Sequence, residues 1–296
     1  MKKGLLIAVL LFSAAVLLKI FSVSFGTPSN GAAPEGSTVP SGASPLYRSS
    51  VVGTDFDFIT ENDPSTFERL GYVGFLSWTM RDKRISTAWV PVKAYVFNAV
   101  FTDGAQIKIA LHSDFGSKDA AEADAIRYTP PLGKLPALYR KNIASLNVQK
   151  GGVDTTAHSK SKEHIITIYS DNATKRISTH DLEETFFHEA THASIQATYL
   201  GGAAWKNAKA LDGAYMTHYA KKDDGEDFAE SALFAYTLIY HPERFPAAER
   251  ARIEKQIPNR IAFFRNVYTG QPRPPTLPPP SASSDPPVEL RATNKP

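Results

Sequence analysis

Short apolar runs broken by turn residues fill the first half of the folded part of this chain, and helical spacing fills its last third. Trp89 to Phe101 and Ile107 to Leu111 are runs of the first kind. They flank Thr102-Asp103-Gly104, where the Asp-Gly pair favours a tight hairpin turn, so both are predicted strands. His164 to Tyr169 is rich in β-branched residues and is predicted as a further strand. Lys118 to Tyr128 and Leu135 to Leu146 read as helices. Beyond them Leu182, Phe186, Ala190, Ala193, Ala197 and Leu200 recur at intervals of four and three until Gly201-Gly202 ends the pattern. With Ser178 and Asp181 at capping-box spacing, the pattern predicts one helix of about six turns. A second helix opens after Asp223-Asp224-Gly225 and ends before His241-Pro242, with Phe228, Ala232, Ala235 and Ile239 as its core stripe.

At both ends the periodicity disappears. Met1-Lys2-Lys3 followed by the uncharged apolar run Gly4 to Leu18 has the arrangement of an export signal. Lys19 interrupts the run and Ile20 to Phe25 extends it, so residues 1–25 are expected to be a signal peptide or a retained N-terminal membrane anchor. Either outcome makes the protein extracytoplasmic: secreted, periplasmic or anchored to the outer face of the cytoplasmic membrane. Residues 26–45 are mostly Gly, Ala, Ser, Thr and Pro and read as a disordered linker, and residues 271–296 read as a disordered Pro-rich tail. Between them, residues 46–270 have the length of one domain.

Composition narrows the chemistry. Lys plus Arg number 33 against 30 Asp plus Glu, a net charge of +3 without a basic run, so no nucleic-acid partner is expected. The chain has no Cys, which excludes disulfides, thiol catalysis, Cys-ligated zinc and a lipoprotein anchor. Any metal has to be held by His and carboxylates.

His188-Glu189-Ala190-Thr191-His192 supplies such a set. On a helix His188 and His192 stand one turn apart, so their imidazoles project side by side and can occupy two positions on one Zn²⁺. Glu189 is offset by about a hundred degrees, from where its carboxylate can reach water at the metal as general base. Ile195 and Thr198 stand where a metzincin would carry Gly and His, which removes that subclass. Glu226, in Glu226-Asp227-Phe228-Ala229-Glu230, completes a His, His, Glu set with a coordination position left for water, and Glu230, one turn on, orients a ligating imidazole. Asp212 is the rival third ligand. Tyr219, seven residues before Glu226, is a candidate hydrogen-bond donor to a tetrahedral oxyanion.

These residues resemble the anthrax-toxin lethal-factor-like zinc metallopeptidases, gluzincins that carry His-Glu-x-x-His, then Tyr, then Glu-x-Phe-Ala-Glu. The resemblance spans Leu182 to Phe245 and includes the seven-residue step from tyrosine to glutamate. It implies that His188, His192 and Glu226 bind Zn²⁺, that Glu189 is the general base, that Tyr219 stabilises the transition state and that Glu230 is the second acid. It also implies an α+β, zincin-like metallopeptidase domain, with a mixed sheet packed on the active-site helix and a helical C-terminal part. In such domains an edge strand pairs with an extended peptide or protein substrate, and the 164–169 strand is the expected one. The expected activity is a zinc endopeptidase. A zincin-fold scaffold or binding protein with little turnover, and a zinc amidase acting on cell wall, are the alternatives. Nothing in the sequence bears on oligomeric state.

Overall fold

Among the described residues six strands build one mixed sheet. β1 (Phe67–Asp82) and β2 (Ser86–Phe101) form a long antiparallel hairpin, and β3 (Gln106–His112) returns antiparallel to β2 through the Asp103-Gly104 turn. Gly104 sits at φ 84°, a conformation that glycine adopts without strain. The chain then runs through α1 (Lys118–Ala125), α2 (Thr129–Lys134) and α3 (Ala137–Arg140) to β4 (Ile143–Gln149), parallel to β3. β5 (Thr156–Lys160) and β6 (Glu163–Tyr169) pair antiparallel, and β6 lies parallel to β4. The order is β1-β2-β3-β4-β6-β5.

From Ser170 onward the elements are helical: α4 (Ser170–Ser178), α5 (Leu182–Ala190), a π-helical segment over Thr191–Ile195, α6 (Gln196–Tyr199), α7 (Ala203–Asp212), α8 (Asp224–Tyr240), α9 (Ala247–Gln256) and α10 (Pro258–Tyr268). The protein is therefore α+β with a helical C-terminal part, as expected. This computed structural model describes residues 44–160 and 163–271, and gives only the backbone of residues 86–87 and 158–160. The expected signal or anchor, nearly all of the linker and the Pro-rich tail lie outside the described residues. Among the described residues no helix is long and apolar enough to cross a membrane.

Three expectations are corrected. Leu135 to Leu146 is not a helix: only Ala137–Arg140 is helical, and Ile143 begins β4. Strand β4 lies between two parallel neighbours, with Ile143, Leu146 and Val148 buried in the main core, so tertiary pairing overrides local helical spacing. Ser178 does not cap the motif helix. It ends α4, its hydroxyl donates to the Lys175 carbonyl, and Asp181 is the residue before α5. The six-turn helix is not regular either, because the π segment adds a residue to its turn and rotates the residues beyond it. Ala193 is buried as expected and Ile195, outside the expected stripe, is buried too, whereas Ala197, expected in the stripe, faces solvent.

The core among the helices is aromatic. Trp205 meets Phe228, Phe263 and Phe264, and Phe234 meets Tyr47, Phe58 and Phe245. Glu184 on α5 is buried in this layer. The Ile59 amide donates to its Oε1 at 3.0 Å, and its Oε2 has no hydrogen-bond partner. Burial pushes this carboxyl up to about 8. Between the ordinary carboxylate value and about 8 the folded state holds a proton that the unfolded chain has released. Stability from this group is therefore fully present at acidic pH and is lost as pH rises through about 8. Glu184→Gln is expected to raise the melting temperature at pH 8.5, by on the order of a few kcal/mol of stability, and to flatten the fall between pH 5 and 8.5. Thermal melts across that range check this; a variant as pH-sensitive as the parent refutes it.

Candidate metal centre

The motif residues converge from two helices that pack against each other. His188 is on α5, His192 is in the π segment, and Glu226 stands in the first turn of α8. That helix starts where Asp223, the N-cap, accepts from the amides of Gly225 and Glu226 at 2.9 and 3.0 Å. Nε2 of His188 lies 3.1 Å from Oε2 of Glu226, Nε2 of His192 lies 3.3 Å from the same oxygen, and the two Nε2 atoms are 3.2 Å apart. Four tetrahedral ligands bonded to Zn²⁺ at about 2.05 Å are separated by about 3.3 Å, so the triangle has the size of one tetrahedral face. His188, His192 and Glu226 could hold a metal ion.

The electrostatics suit a cation. Burial opposes the charge of Glu226, but the two imidazoles and the Lys222 ammonium outweigh it and hold the carboxyl well below the usual carboxylate range. Burial likewise opposes protonation of His188, yet the carboxylates of Glu226 and Glu230 push it up to about 10. A proton then sits where a metal would compete for it.

Glu230 is fully buried. Helix α8 is buried on every side from Gly225 to Leu238, so no face of it is left for solvated acids. Oε1 of Glu230 lies 3.2 Å from Nδ1 of His188, on the side of the ring away from the triangle. Its Oε2 accepts from the Val51 amide at 2.6 Å and the Thr217 hydroxyl at 2.7 Å. The other carboxylate oxygen of the triangle, Oε1 of Glu226, accepts from Lys222 Nζ at 2.7 Å and from the Tyr219 hydroxyl at 3.1 Å. Burial raises the Tyr219 phenol above its ordinary value, so it remains a donor at neutral pH.

The triangle opens into a cavity of about 550 Å³, and a second of about 270 Å³ shares Asp154, Thr155, His188, Glu189 and Tyr219 with it. Glu189 lines both, and it is the one residue from Glu184 to Ala190 that is not buried. All six expected site residues thus meet at one place. Asp212 does not join them. Its carboxylate is enclosed by the Asn259 and Arg260 amides, the Asn259 side chain and the Arg260 guanidinium at 2.8–3.0 Å. The 164–169 strand is not at the edge either: β6 lies between β4 and β5, and β5 is the outer strand, with Thr156 and Ala157 lining the larger cavity.

Lys222 and Gln196, whose side-chain oxygen pairs with Nδ1 of His192, are additions that sequence reading missed. Each stands four residues from a ligand candidate, Gln196 after His192 and Lys222 before Glu226, just past the 3₁₀ turn that precedes α8, and that spacing is the signal the chain offers for them. Thr217 and the Val51 amide carry no such signal, because only the folded chain brings them to Glu230. Comparison of the chain with protein-family models, with curated proteins and with solved structures finds no match.

Proposed function

We propose that this chain is a zinc-dependent peptidase with a zincin-like fold, acting through Glu189 as general base. The observation that carries the reading is the triangle of His188 Nε2, His192 Nε2 and Glu226 Oε2 at 3.1–3.3 Å, with Glu189 lining the adjoining cleft. A bound Zn²⁺ would supply a Lewis acid that acidifies water and polarises a carbonyl. The chain's own residues do the rest. His188, His192 and Glu226 offer three ligand atoms, Glu230 fixes the tautomer of His188, and Glu189 takes the proton from the attacking water and returns it to the leaving amine. Tyr219, whose hydroxyl donates to Oε1 of Glu226 before substrate arrives, turns that hydrogen bond to the oxyanion, and Lys222 holds Oε1 of Glu226. The outer strand β5 beside the cleft supports pairing with an extended peptide.

The test is zinc content and hydrolysis of unstructured protein substrates, measured on the purified wild type and on Glu226→Ala. The wild type is expected to hold one zinc per chain and to cleave, and the variant to lose both. A wild type that holds no zinc refutes the reading; one that holds zinc and opens purified cell wall but no peptide moves the activity to an amidase.

A further inference from the structure

Residues 46–59 form neither a regular helix nor a strand of the sheet; apart from a 3₁₀ turn at Val51–Gly53 they cross the helical layer as a strap. One end is tied by Tyr47, whose amide donates to the Met216 carbonyl at 2.9 Å while its own carbonyl accepts from the His218 amide at 2.9 Å. The Tyr47 ring stacks on Phe234 of α8. At the other end Phe58 packs edge-on against the same Phe234, and the Ile59 amide donates to Glu184 of α5. Between these anchors the Val51 amide reaches Glu230.

We infer that this N-terminal strap is part of the metal centre, with the Val51 backbone N–H acting as a positioning group that fixes Glu230 behind His188. The inference rests on the zinc reading above and adds to it a contribution from a segment far from the motif in sequence. Oε1 of Glu230 and Nδ1 of His188 face one another as an ion pair at 3.2 Å, and neither has a hydrogen-bond partner. The direction of Oε1 is therefore set by what grips Oε2, and two groups do so: Val51 N–H at 2.6 Å and the Thr217 hydroxyl at 2.7 Å. Thr217 is itself bridged to the strap through Tyr47. Being first in its 3₁₀ turn, Val51 has no partner for its N–H within the turn, so that donor is free for the carboxylate. Ser50 and Val52, on either side, line the smaller cavity beside His188 and Glu189, so the strap also walls the cleft.

Val51→Pro removes this one donor. Proline is tolerated at the first position of a helical turn, and Ser50 at φ −78°, ψ 170° has the extended backbone that proline requires before it. The turn's own bonds, Gly53 N–H to Ser50 C=O and Thr54 N–H to Val51 C=O, do not use the lost N–H. Val51→Ala is the control, since it removes packing and keeps the amide. Zinc affinity, measured by chelator competition on the full chain, is expected to fall about tenfold or more in Val51→Pro and to stay within about twofold in Val51→Ala. Because coupling is reciprocal, zinc added to the wild type should slow amide hydrogen exchange across residues 46–59 by a similar factor, a readout that needs no variant to fold. Unchanged zinc affinity in Val51→Pro, equal losses in both variants, or strap exchange indifferent to zinc would each overturn the inference. A wild type that binds no zinc instead removes the proposed function on which it rests.

Discussion

Glu189→Gln is expected to keep zinc at the wild-type stoichiometry and to lower kcat/KM for peptide hydrolysis by about 10²- to 10⁴-fold, the range associated with loss of a general base. The substitution is isosteric, and Glu189 is absent from the His188, His192, Glu226 triangle, so the metal-binding set is untouched. What changes is that an amide cannot accept the water's proton. Glu189 is also partly open to the cleft on a helix whose neighbouring positions are buried, so the change adds no cavity and no unpaired buried charge. Steady-state kinetics on a fluorogenic peptide with zinc analysis of the same sample decides the matter. Retained turnover would remove Glu189 from its role, and loss of zinc would show that the residue holds the site together.

The second large effect concerns stability. Arg260 is buried on α10 and holds two buried carboxylates: Nη1 lies 3.0 Å from Oδ2 of Asp212 on α7, and Nη2 lies 2.8 Å from Oδ2 of Asp227 on α8. Removing the guanidinium leaves both acids in the core without a counter-charge. Burial already raises the Asp227 carboxyl above its ordinary value even with Arg260 in place. Arg260→Ala is expected to cost about 3–5 kcal/mol, a fall in melting temperature of roughly 10 °C for a domain of this size. The triple variant Arg260→Leu, Asp212→Asn, Asp227→Asn should recover much of that loss, since it removes the charges together. Calorimetry on the three proteins checks both statements. A single variant within about 1 kcal/mol of the parent would show that water reaches these carboxylates once the arginine is gone. The same network explains why Asp212 is no metal ligand: its oxygens are already committed to α10.

Much of the site is legible in the chain because it is written at helical spacing. His188 and His192 are four apart and Glu226 and Glu230 are four apart, the spacing that brings side chains together along one helix face. Tyr219 is legible through the resemblance, and its hydroxyl stands 3.1 Å from Glu226. Strands β2, β3 and β6 are also readable, from the Asp-Gly turn and from β-branched runs. Strand β1 is not: Tyr72, Val73, Phe75 and Leu76 are all exposed, so burial imposes no alternation on them. Strand β4 reads as helix in the sequence, because a strand between parallel neighbours needs no polar face.

The sequence by itself determined which atoms can bind a metal and the two helices that carry them, since both follow from local spacing and side-chain chemistry. Only the tertiary structure decided that those helices meet with ligand atoms 3.1–3.3 Å apart, that Asp212 belongs to Arg260, that β5 and not β6 is the outer strand, and that the Val51 amide reaches Glu230. The physical reason is range. Helical periodicity acts over four residues, whereas the Val51 to Glu230 bond joins positions 179 residues apart, a separation over which the packed core alone sets the distance.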